Sequence, residues 1–138
     1  MTARLEWLAT FELGVAEIDD DHRKMLATMQ RVRDALGAGD RAACLAALDA
    51  LLEVSAAHFE REEAFLTAHG YADVAKHQAY HTDLFYRAAT LKAAGARVET
   101  MDQLEACCDE MMSFLIDDVV RGDAGLKSFL QAKGLTRH

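Results

Sequence analysis

Not one proline interrupts the 138 residues of this chain, so nowhere does a missing N–H or a locked φ bar a helix interior. Apolar side chains recur at helical spacing instead. Ile18, His22, Met25, Leu26 and Met29 form a first series, with Asp19, Asp20 and Asp21 favourable at a positive helix start. That helix is expected to end near residues 37–40. A second series runs Cys44, Leu45, Leu48, Leu51, Leu52, Ser55, Phe59, Glu62 and Leu66, and His69-Gly70 supplies its stop signal. The third helix is expected to start near Ala72, to carry Val74, His77, His81, Leu84, Phe85 and Ala88 on one side, and to break at Gly95. The fourth spans about Met101 to Val120. Gly122 and Gly125 precede a short tail helix with Leu126, Phe129 and Leu130. Short glycine-containing loops between four helices predict an all-α, antiparallel up-down-up-down four-helix bundle, with an N-terminal leader and a short C-terminal helix.

A hydrophobic share of 51% is enough for one continuous core, and residues 1–138 read as a single domain. The formal net charge is -8. No cluster of Lys and Arg offers a phosphate backbone a landing place, so no nucleic-acid partner is expected. Residues 1–14 lack a signal-peptide core, and no run of about 20 apolar residues suggests a membrane span. A soluble, cytoplasmic protein is expected, monomeric by default. Cys44, Cys107 and Cys108 are odd in number, and the adjacent pair cannot readily bridge to itself. They read as reduced helix residues.

Position matters more than composition for the chemistry. His58 and Glu62 lie four residues apart on the second helix, and His77 and His81 four apart on the third. Each pair therefore projects from one helix face. Both sit on apolar stripes, beside Phe59 and Leu66 in one case and Leu84 and Phe85 in the other; His22 does likewise on the first helix. Taken singly, His22 could be a hydrogen-bonded core histidine, His58/Glu62 an exposed helix pair, and His77/His81 an adventitious chelate. Jointly these plain readings would require accidents on three helices. A buried carboxylate costs several kcal/mol unless paired or metal-bound, and no Lys or Arg stands on these stripes. Such a set suits divalent metal, and two ions suit the ligand count better than one. His69 and His138 read as solvent-exposed.

The chain resembles the hemerythrin family, in its bacterial single-domain form, over nearly its whole length. Trp7, Leu13-Gly14-Val15 and Ile18-Asp19-Asp20-Asp21-His22 are similar to the family's W, lGv and iDxxH opening. His58-Phe59-Glu60-Arg61-Glu62-Glu63 and Gly70-Tyr71 resemble its HFxxEE and GY signature, and His77-x-x-x-His81 has the family spacing. Ala72 stands where a Pro is common and Leu66 where a Met is common. The resemblance implies one iron at His22 and His58 and a second at His77 and His81. Glu62 and Asp123 would bridge the two irons beside an oxo or hydroxo group. Dioxygen would bind end-on at an open position of the bis-histidine iron. Met25, Phe59, Phe114, Leu115 and Val119 fall at the positions that line the ligand pocket, where core packing is an equally valid role.

The fourth helix departs from the family pattern W-L-x-x-H-I-x-x-x-D. Here the sequence reads Phe114-Leu115-Ile116-Asp117-Asp118-Val119-Val120-Arg121-Gly122-Asp123. Phe114, Leu115, Val119 and Asp123 keep the register, which puts Asp118 in place of the fifth histidine. A carboxylate ligand there would favour ferric over ferrous iron; one that misses the metal would leave room for water, peroxide or another small ligand. The expected function is oxygen binding for storage, transport or sensing, which needs no catalytic residue. The rivals are a di-iron oxidase or peroxidase and an iron-storage or homeostasis protein.

Overall fold

The structure, a computed structural model, describes residues 13–117 and 124–135. Among the described residues the elements are α1 (Ala16–Gly37), α2 (Arg41–Ala68), α3 (Val74–Gly95), α4 (Met101–Asp117) and α5 (Ala124–Ala132), with no strand. The first two reversals use one device. Gly39 and Gly70 sit at φ 66° and 74°, a left-handed backbone that favours a residue without Cβ. After α1 the Asp40 N–H donates to the Ala35 carbonyl at 3.0 Å, and after α2 the Tyr71 N–H donates to the Leu66 carbonyl at 3.0 Å. These bonds satisfy carbonyls that a helix end leaves orphaned. Asp40 then starts α2, its side chain accepting the Ala43 N–H at 3.0 Å, a cap worth about 1 kcal/mol.

Short turns make consecutive helices antiparallel neighbours, and α1 packs on α2, α2 on α3, α3 on α4 and α4 back on α1. The expected four-helix bundle is what forms. Its apolar residues fall into two clusters. The larger joins Met25, Met29, Leu48, Leu51, Leu84, Leu104, Met111 and Leu115. The smaller joins Leu13, Val15 and Ile18 with Leu66 and with Leu126 and Leu130 of α5. Along α1 the order is Ile18, His22, Met25; along α2 it is Phe59, Glu62, Leu66, and along α3 it is Val74, His77, His81, Leu84. A polar layer therefore lies between two apolar clusters.

α2 is long and apolar enough to cross a bilayer by length and mean hydropathy, 1.5. Its Leu48, Leu51 and Leu66 are buried in the bundle, as are His58 and Glu62. Helix ends fall close to those predicted, although α3 begins at Val74 rather than Ala72. One side chain on the predicted α3 stripe faces the other way. Phe85 is 37% exposed while Leu84 and Ala88 are buried, because one residue further on turns the side chain about 100° around the helix axis.

Candidate metal centre

α1 contributes His22, α2 contributes His58 and Glu62, and α3 contributes His77 and His81. All five are buried, His22, His58 and Glu62 completely. Two groups of possible ligand atoms result, His22/His58/Glu62 and Glu62/His77/His81, and within each the atoms lie inside 4.8 Å of one another. Glu62 belongs to both. Its Oε1 is 2.5 Å from His77 Nε2 and 3.4 Å from His81 Nε2, and its Oε2 is 3.3 Å from His58 Nε2. His22 Nε2 and His58 Nε2 point at each other across 3.2 Å.

This donor set fits a pair of cations. Bonds of about 2.0–2.2 Å to one cation separate neighbouring ligand atoms by about 3 Å, the spacing seen here. Glu62 Oε2 is buried, and beyond its 3.3 Å approach to His58 Nε2 it makes no well-formed hydrogen bond among the described residues, which leaves it a lone pair for a cation. Burial alone would push the Glu62 carboxyl up; the close approach of His58 and His77, reinforced by the charges of His58 and His81, outweighs it and holds the group well below the usual carboxylate range. The centre thus presents an ionised carboxylate between two pairs of imidazole nitrogens.

Carboxylates behind the histidines set which nitrogen faces inward. His81 Nδ1 lies 3.1 Å from Glu63 Oε2, and His58 Nδ1 lies 3.4 Å from Asp21 Oδ2. Each Nδ1–H is directed to a carboxylate, so Nε2 faces the interior, where a bound cation would take the place of its proton. Asp21 is held in turn by Arg61, whose Nε and Nη2 donate at 2.9 Å and 2.5 Å. Burial works to raise the Asp21 carboxyl, but the hydrogen bonds and charges of His58 and Arg61 hold it well below the usual range. Asp19 is equally buried, and its two oxygens accept the Leu13 and Gly14 N–H groups at 2.8 Å and 3.1 Å. The acidic run read as a helix-start feature is therefore split: Asp19 anchors the leader, Asp21 orients a histidine, and Asp20 alone is exposed.

Of the predicted pocket residues, Met25, Phe59 and Leu115 are buried in the larger cluster, and the Phe59 ring stacks on His81 at 4.1 Å. Asp118, Val119, Asp123 and the Phe114 side chain lie outside the described residues, as does His138. His69 is half-buried against Phe65, not fully exposed.

The cysteines stand apart from both ligand groups and are free. Cys44 Sγ and Cys108 Sγ approach to 3.6 Å in the larger cluster, too far for a disulfide bond of about 2.05 Å, and burial pushes both thiols up. Replacing Cys44, Cys107 and Cys108 together by Ala is expected to leave the metal stoichiometry unchanged while lowering the thermal midpoint. Elemental analysis checks it; reduced metal content would mean a thiolate ligand.

Comparison with known proteins gives this geometry a family. The pattern of the Hemerythrin HHE cation binding domain matches residues 13–121. A protein of Methylococcus capsulatus named Bacteriohemerythrin is 34% identical over 83 residues, covering 59% of this chain and 63% of that protein. A Bacteriohemerythrin of Stenotrophomonas maltophilia is 25% identical over 121 residues, covering 88% of this chain and 77% of that protein. The matched stretch thus spans under two thirds of the Methylococcus protein. With its HHE pattern running from the leader through α4, this chain belongs to the hemerythrin family, among the bacterial hemerythrins.

Proposed function

We propose that this chain holds two iron ions and binds dioxygen with them, serving oxygen storage, delivery or sensing in the cytoplasm. The observation that carries the reading is a single buried carboxylate, Glu62, common to two groups of imidazole ligands. In this reading His22 and His58 would hold one iron and His77 and His81 the other, with Glu62 and Asp123 as the carboxylates that would be shared between them. The names of the two relatives point the same way.

When bound, the iron pair supplies the electrons and the open position that reversible dioxygen binding uses. The chain's own residues do the rest. Asp21 and Glu63 fix the inward-facing nitrogen of His58 and His81, so the ligands are set before metal or oxygen arrives. Met25, Phe59 and Leu115, buried in the larger cluster, exclude water and protons from the centre. No side chain is required to act as an acid, base or nucleophile. Metal analysis with an optical spectrum taken through cycles of oxygen addition and removal tests the reading. About two irons per chain and a reversible spectral change support it; a zinc-loaded protein without such a change overturns it.

A second reading, an oxidase or peroxidase, draws on Asp118. The buried α4 positions Leu104, Cys108, Met111 and Leu115 recur every three or four residues, and in the sequence Asp118 follows at the same interval. An Asp118 carboxylate that ligated one of the irons would favour its ferric state, so the reduced protein is expected to oxidise quickly in air. Asp118→His is expected to lengthen the life of the oxygen complex and weaken azide binding. Stopped-flow mixing of reduced protein with oxygen measures both variants. Equal decay rates and equal azide affinity would show that Asp118 is remote from the metal; steady turnover of peroxide with a reductant would favour the enzyme.

A further inference from the structure

On the outside of the bundle the seam between α2 and α3 opens into a hollow of about 270 Å³. Phe59 and His81 lie at its base, both buried, with their rings stacked 4.1 Å apart and 11° from parallel. Phe85 and Tyr86 form its aromatic wall, and they stand 37% and 74% exposed. Together with Tyr80 they are the large hydrophobic side chains that stand exposed among the described residues, and all three are on α3. Tyr80 lies about a third of a turn away around the helix, whereas Phe85 and Tyr86 stand together at the hollow, and an exposed aromatic pair beside a hollow marks a place where something binds.

Charge decides the kind of occupant. Glu60 and Glu63 line the hollow, and no Lys or Arg does. An anion would meet two carboxylates and the negative faces of the rings, whereas a cation is attracted by both. The volume lies just under the roughly 300–1,000 Å³ of sites for drug-sized ligands, which suits one small ring system and not a peptide. Rings on the wall and at the base favour a flat partner that can stack.

We propose that this hollow binds a small flat aromatic cation, of the class of N-alkylated pyridinium and fused-ring azinium ions. Stacking comes from Phe85 and Tyr86, and charge recognition from Glu60 and Glu63. The occupant would lie over the Phe59–His81 stack, one side-chain layer from the metal centre. The inference rests on the lining of the hollow, not on which ions the buried ligands hold.

N-methylacridinium is a suitable probe, with acridine at pH 8 as its uncharged counterpart and tetramethylammonium as a cation without rings. Titration of the metal-loaded protein, followed by probe fluorescence, is expected to saturate at one probe per chain. Acridine should bind at least about tenfold more weakly, and tetramethylammonium, which has no ring to stack, should displace the probe only at a concentration at least about tenfold higher than the probe's own. Phe85→Ala with Tyr86→Ala should raise the dissociation constant about tenfold, and Glu60→Gln about threefold. These side chains are exposed, so the substitutions leave the core intact, as circular dichroism can check. Asp102→Asn, on the distant start of α4, should change nothing. Binding that does not saturate overturns the proposal, as does equal affinity in the double variant. An Asp102→Asn effect equal to that of Glu60→Gln would reduce it to adsorption on an acidic surface.

Discussion

Glu62→Ala is expected to release both cations at once and to lower cation retention by at least about 100-fold. Replacing a residue behind a ligand already costs about 10–100-fold, and Glu62 is placed as a ligand within both groups. A cation at about 1,000 times its dissociation constant stabilises the fold by about 4 kcal/mol, so the loss should also lower the thermal midpoint markedly. Dialysis against a weak chelator, followed by elemental analysis and a thermal melt, measures both effects. If Glu62→Ala keeps even one cation per chain at the parent affinity, the carboxylate is not shared and the two groups are independent.

Asp21→Asn should act on one half of the centre. Asp21 stands behind His58, and its own charge is held by Arg61. Losing that carboxylate frees the His58 ring to turn and lowers cation affinity at the His22/His58 group by about 10–100-fold, with the His77/His81 group retained. The metal-free protein should lose about 1–2 kcal/mol of stability at neutral pH, a value limited by the half-exposed Arg61 partner. The sign with pH follows from the folded carboxyl lying below its usual range. Its contribution is complete above the unfolded value of about 4 and disappears as the pH falls further. Parent and variant should therefore differ in urea midpoint at pH 7 and converge toward pH 2. A constant difference across that range would show that Asp21 acts through shape, not charge.

Much of this arrangement was legible in the sequence because helices carry a strict period. His58/Glu62 and His77/His81 announced their common face by spacing alone, and Gly39 and Gly70 lie where the first two helices were expected to stop. The carboxylates behind the histidines were not legible. Asp19, Asp20 and Asp21 are identical in type and adjacent in sequence, and a favourable helix start explains all three equally well; only the fold of residues 13–15 over Asp19 and the packing of α2 against Asp21 separate the buried pair from the exposed one. Arg61 was missed for a related reason, since it pairs with a carboxylate on another helix while Glu62 beside it turns inward. Phe85 was placed on the wrong side because an aromatic next to a core leucine looks like a continuation of the stripe. The Cys44–Cys108 approach joins helices that are not consecutive, and no local pattern encodes it.

The polar layer also divides the cohesion of the bundle unevenly. One flank is the extensive cluster shared by α1 to α4, and the other is a small patch closed by the leader and α5. Peeling away that patch exposes far less apolar surface than separating the helices. Amide hydrogens of α5 and of residues 13–15 should therefore exchange through local fraying, while those near Leu51 and Leu104 wait for global unfolding. A cation held in the layer would leave through this thinner wall, so its release rate should follow the amide exchange of α5 and of residues 13–15 and not the rate of global unfolding.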